Sequence, residues 1–283
     1  MDRKGALKGE KRVREALMSG IFYPDDGAEL ARIVDGLLGG ASPPGTDSTA
    51  ILSPHASISY SGKLQALAFA SARSRNPKTV ILLCHRHRPD AEAVFLPESS
   101  IFRTPLGDLP VDEDLLESLE SSATYYERAD LPHWEEHAIE VQLPFVQRLF
   151  PNAFILPAIV NFHDIDLALQ LAKDLDSSTA EDPESYLLVA SCNAGSAPDP
   201  AKARRMGEML TSRVLGNAKG RARPCVEAFL ASRPARTAKP ALLGRTSSKE
   251  AEENAADQPW NAWEGADAVV EYVAVAFYKG GAA

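Results

Sequence analysis

Three cysteines in 283 residues are too few, and odd in number, for a disulfide framework. Cys84, Cys192 and Cys225 are left as small buried hydrophobes or as thiolate ligands. Long apolar runs are missing too. Runs such as Val80-Ile81-Leu82-Leu83-Cys84 fall far short of the roughly 20 residues that span a bilayer. The start of the chain is charged and has no apolar stretch of the signal-peptide kind, so the expected location is the cytoplasm, with no membrane partner. Basic residues are outnumbered: 30 Lys and Arg stand against 39 Asp and Glu, for a net charge of −9. That excludes a general nucleic-acid binder, which needs a basic face to neutralise phosphates. The short basic stretches at 202–205 and 219–223 read as solvated surface. No Walker loop, dinucleotide fingerprint or Gly-x-Ser-x-Gly elbow occurs.

What is present is a globular composition, 45% hydrophobic, with a repeating rhythm. Residues 1–11 read as a frayed, charged start, and 12–283 as a single domain. After a turn at Phe22-Tyr23-Pro24 and a helix over 27–38, short apolar strands at 50–53, 79–84, 93–96, 154–160 and 186–191 alternate with amphipathic helices. The helices fall at 63–73, 112–121, 139–150, 164–175, 200–215 and 224–232. This alternation predicts an α/β fold, with a mostly parallel central sheet and helices on both faces. The polar stretch 245–259 reads as a mobile loop, and 267–278 as a late strand, antiparallel and at an edge.

Open parallel sheets bind ligands at the carboxyl ends of their strands. Three candidate metal ligands fall directly after predicted strands: His55, His87 (or His85) and Cys192. Imidazole and thiolate suit zinc, copper or iron. His85 and His87 alternate in an extended stretch, so one of them at most is expected to face a given ligand. Cys192 reads either as a ligand or as a buried small hydrophobe. A further cluster is His133-Trp134-Glu135-Glu136-His137-Ala138-Ile139-Glu140, where His133 and His137 would share a helical face. It is not the zinc-protease pattern, because Trp134 follows His133. It reads either as a helix start with acidic residues in its first turn, or as a site where His137 moves a proton beside a metal.

These segments, in order, resemble the Memo family, whose members share a fold with class III extradiol ring-opening dioxygenases. The resemblance is carried by Arg14, Gly20 and Phe22-Tyr23-Pro24, then by Pro54-His55-Ala56-Ser57-Ile58-Ser59-Tyr60-Ser61-Gly62. It continues through Leu83-Cys84-His85-Arg86-His87-Arg88 and Thr104-Pro105-Leu106-Gly107-Asp108 with Asp112. Glu136-His137-Ala138-Ile139-Glu140-Val141-Gln142-Leu143-Pro144 completes it. It covers about 12–192 well and the remainder weakly, with Cys225 and its helix and the strand 269–277 as plausible matches.

The resemblance implies a class III extradiol dioxygenase-like fold and metal binding by His55 and His87, completed in the family by a later cysteine. If Pro224 matches the family's proline, that cysteine position falls on Gly220, with Cys225 just inside the helix. The family's Ser-Ser-Asp-Phe-x-His-x-Gly segment is replaced by Ser191-Cys192-Asn193-Ala194-Gly195. The family's glycine after Pro-His-Ala is Ser57, expected to crowd a tight turn. The implied function is therefore a Memo-like protein with a partly degenerate metal cleft, non-catalytic or weakly metal-binding. Its partner would be a small molecule or a protein, such as the radical-SAM protein that often accompanies the family. The alternative is a non-haem redox enzyme or dioxygenase, with His137 as proton carrier and Glu140 as the missing carboxylate. A third reading is a metal-free pocket in which Arg86 or Arg88 grips an anion.

Overall fold

The computed structural model describes residues 11–88, 92–255 and 267–280. The expected frayed start thus lies outside the described residues except for Lys11, as does the end of the expected loop at 256–259. The strands are β1 (Val13–Arg14), β2 (Ala50–Ser53), β3 (Thr79–His85), β4 (Ala93–Leu96), β5 (Ile101–Thr104) and β6 (Gly107–Pro110). They continue as β7 (Tyr126–Arg128), β8 (Phe154–Asn161), β9 (Tyr186–Ser191), β10 (Gly195–Ala197), β11 (Ala238–Ser247) and β12 (Val269–Lys279).

Nine strands form the main sheet, in the order β10-β12-β2-β9-β3-β8-β4-β7 with β11 paired to β12. Its centre, β2-β9-β3-β8, is parallel. These strands are runs of Ile, Leu and Val that lie buried, as strands covered on both faces must be. The margins reverse: β12 runs antiparallel to β2, and β4 antiparallel to β8. A small second sheet, β1-β5-β6, stands apart.

Helices flank the main sheet in two groups. Gly27–Gly40, Ile58–Ala70 and Leu143–Leu149 pack together, the second of them on β2 and β12. Ile165–Ser178 and Pro224–Ala231 pack together, the latter on β3 and β9. Their starts follow local chemistry. Asp26, Asp112, Asp164 and Asp199 each cap a helix by accepting a backbone N–H of its first turn. Pro200 and Pro224 fill first-turn positions where no donor is needed.

Three expectations change. The late strand β12 is not at an edge: β11 covers one side of it, and β2 and β10 the other. The stretch read as a loop from 245 is the end of β11 and then the helix Ser248–Ala255. Pro240 and Gly244 in β11 argue against a central strand, but this strand is an outer one, with an irregularity between Leu242 and Gly244. The helix expected over 139–150 begins as a 3-10 turn, Glu140–Gln142, before Leu143–Leu149.

Candidate metal centre

The parallel register sets the site. Ser53 lies beside Ser191, and Cys84 beside Ser191 on the other side, so the carboxyl ends of β2, β9 and β3 are level. His55 follows β2, and His85 ends β3 with His87 just beyond it. β9 lies between these two strands, yet the rings of His55 and His87 stand 5.2 Å apart, centre to centre. The chain turns past the end of the sheet, which also brings His85 to 4.3 Å from His87. The two rings lie side by side, yet only His87 joins the group of potential ligands, so one of the pair faces a common ion, as expected.

The third side chain is His137. The helix Asp130–Glu135 stops short of it, and Glu136 is extended, at φ −108° and ψ 123°. His133 and His137 thus do not share a helical face. His133 points away, its Nε2–H donating to the Phe95 carbonyl at 3.2 Å. His137 stacks on Phe22 at 4.8 Å and lies 5.3 Å from His55 and 5.1 Å from His87. One potential ligand atom from each of His55, His87 and His137 falls within 4.8 Å of the others.

The hydrogen bonds prepare these rings as ligands. Ser191 Oγ donates to the Ala138 carbonyl at 2.6 Å and accepts from Gln142 Nε2 at 2.8 Å. It is then left to accept from His55 Nδ1, 3.2 Å away, so Nδ1 carries the proton. The lone pair of His55 sits on Nε2, which is buried and has no hydrogen-bond partner among the described residues. Glu136 holds the next ring, accepting from His87 Nδ1 at 2.9 Å and from the His87 backbone N–H at 3.1 Å. It also accepts from the Ala138 N–H at 3.1 Å and lies 3.3 Å from His137 Nδ1. A carboxylate behind a ligating histidine fixes the tautomer and strengthens the donor.

Electrostatics agree. Burial first, then the neighbouring imidazoles and Arg223, hold His55 well below the ordinary histidine range. Burial and Arg223 push His85 down to about 2. Burial alone would raise Glu136, but the His87 hydrogen bond, the two rings and the Ala138 N–H bring it down to about 2. His55 is thus kept as a neutral imidazole, the metal-binding form, beside one carboxylate.

The other expected residues lie elsewhere. Cys192 is buried outside this group; its Sγ contacts the Asn193 carbonyl at 3.2 Å, and burial raises its thiol. Cys225 is buried as well, its thiol pushed up by burial and by Cys192. Glu140 is not the missing carboxylate. Its oxygens accept from Arg14, from the Tyr23 hydroxyl and, at 2.9 Å, from the Met18 N–H, all within the core. Arg86 and Arg88 both pair with Glu135, at 2.9 and 3.0 Å, so each already faces a carboxylate of the protein. Ser57 sits at φ −58°, open to any residue, so no turn is crowded. Gly195 leaves no room for a side chain: a Cβ there would meet the Ala203 carbonyl and Met206 Cβ, each at 2.8 Å.

Against this geometry, a sequence profile described as Memo-like protein matches residues 14–194. The chain belongs to the Memo family. The match contains all three clustered imidazoles and Glu136. Among Memo-family relatives, proteins called MEMO1 family protein are similar to this chain. The one from Aquifex aeolicus is 33% identical over 202 residues, covering 71% of this chain and 74% of its own. That from Thermotoga neapolitana is 34% identical over 194 residues, covering 63% and 69%. That from Desulfurococcus amylolyticus is 29% identical over 214 residues, covering 71% and 76%.

Proposed function

We propose that this Memo-family protein holds one divalent transition-metal ion on His55, His87 and His137 and presents its open coordination positions to a small molecule. The observation that carries the reading is His55 Nε2, a buried lone pair facing no donor among the described residues. Leaving such an atom unpaired costs free energy in the apo protein, and a metal removes that cost. Three imidazoles with an open position are the arrangement of catalytic rather than structural zinc sites, and they suit iron and copper as well. When bound, the ion supplies Lewis acidity to whatever fills that position. His87 and His137 line a cavity of about 110 Å³, which also admits Phe22, Tyr60 and Asn193.

Elemental analysis of tag-free protein tests the reading. Near one equivalent of metal is expected, falling to background in His55→Ala/His87→Ala/His137→Ala and persisting in Cys192→Ala. Metal that survives the triple substitution, or that leaves with Cys192, would overturn it.

One observation favours a second reading, a metal-dependent redox enzyme. His85 stands against the ligand group without belonging to it, and as a neutral ring it would hold a substrate on the ion by a hydrogen bond. Oxygen uptake with a catechol on iron-loaded protein, reduced in His85→Phe, would support that reading over a binding role. A working partnership with a radical-SAM protein rests on the family resemblance. Among the described residues no helix is long and apolar enough to cross a membrane.

A further inference from the structure

The rim of the metal cavity carries donors and a cation for which the described protein supplies no negative partner. Arg223 precedes the helix Pro224–Ala231 and lines the same cavity as His87 and His137. Its guanidinium hydrogen-bonds the ring of His85, which offers no negative charge. Among the described residues it makes no ion pair, whereas Arg12, Arg14, Arg86, Arg88, Arg103 and Arg213 all do.

Asn193 stands on the same cavity wall. Its Oδ1 accepts from the His55 backbone N–H at 3.0 Å. A backbone N–H can only donate, so the oxygen is identified and Nδ2 is the other end of the amide. That NH₂ has no acceptor among the described residues, and a hydroxyl, Ser196, lies on the same wall. The rim therefore offers N–H and O–H donors and one fixed positive charge. A divalent ion on the imidazoles would add two more charges, against the single carboxylate of Glu136. Such a site selects an anion.

From this geometry we infer that the ligand is a small carboxylate. It binds the ion through one oxygen, while Arg223 and the Asn193 amide take its remaining acceptors. The inference rests on the metal reading and adds the substrate class to it. The volume of about 110 Å³ suits such a size, because in this measure a single water needs roughly 10–15 Å³. A planar guanidinium suits a carboxylate better than an ammonium would, since it donates two parallel hydrogen bonds. Arg223 also lies outside the residues that match the family profile, which end at 194.

Calorimetric titration of zinc-loaded protein with oxalate, beside its neutral analogue oxamide, tests this. Metal content is measured on every sample. Oxalate is expected to bind and oxamide not to. Arg223→Gln should weaken oxalate roughly ten- to hundredfold at unchanged zinc content, Arg223→Lys should weaken it less, and Asn193→Ala should weaken it by a smaller factor. Equal oxalate affinity in wild type and Arg223→Gln, or no oxalate binding by loaded protein, overturns the carboxylate site and leaves the metal reading standing. Failure to load zinc overturns the metal reading instead. Oxalate binding to that metal-free protein, lost in Arg223→Gln, would still support the anion rim, and its absence would overturn it.

Discussion

Glu136 touches His87 through two oxygens and His137 through one, so a single carboxylate orients two of the clustered rings. Replacing it by glutamine keeps an acceptor but removes the charge. Metal affinity in Glu136→Gln should fall roughly 10–100-fold, as read by competition with a chromophoric chelator. Glu140, only four positions on, should behave oppositely. Glu140→Gln leaves the Arg14 guanidinium uncompensated in the core, and urea unfolding should show a loss of about 3 kcal/mol or more at unchanged metal affinity. The sequence does not distinguish these two glutamates, because they stand four positions apart in one short mixed stretch. Tertiary neighbours decide: Tyr23 and Arg14 enclose one, and the rings enclose the other. The same limit applies to Cys192, whose position after β9 was readable but whose side-chain direction was not.

At the scale of elements, the parallel strands were legible because each is an apolar run with no competing periodicity, and His55 and His87 could be placed at their ends from that alone. β11 was not legible. Its exposure does not follow the two-residue period of a strand, and it contains Pro240 and Gly244, both tolerated in an outer strand. The break between Glu135 and Glu140 was hidden too, since the apolar spacing of Ile139, Leu143 and Val146 suits a continuous helix. That break turns His137 toward the site. The segment after β9 sits equally close to its neighbour. Gly195→Ala would push a Cβ into the Ala203 carbonyl at 2.8 Å, a backbone atom that cannot swing aside. A loss of about 1–3 kcal/mol is expected in thermal or urea unfolding, with weaker ligand binding because Asn193 moves with it.

For the molecule as a whole, buried neutral histidines set the response to acid. His133 is held down to about 3 by burial and by Arg14, and His85 to about 2, while His55 lies well below its ordinary range. Each is a base whose folded value is depressed. Unfolded histidine takes a proton near pH 6.5, so the stability from each group is complete above that pH. It is lost as pH falls from about 6.5 toward the folded value, at roughly 1.4 kcal/mol per pH unit for each group. Urea midpoints of metal-free protein should therefore drop between pH 7 and pH 5, and His133→Asn should show the shallower slope. A midpoint that does not move with pH would contradict the burial of these rings.

The placement of β12 has a consequence for how the protein is made. This strand supplies Val270 and Tyr272 to the cavity wall and covers Ile51 and Leu52 at the flank of the parallel strands. The ribosome delivers His55, His87 and His137 well before it delivers that strand. Until then a nascent chain presents an unpaired apolar sheet edge, which is a template for joining other chains. A chain cut after residue 237 is thus expected in the insoluble fraction however much metal is supplied, because its difficulty is an unprotected flank and not an empty ligand set.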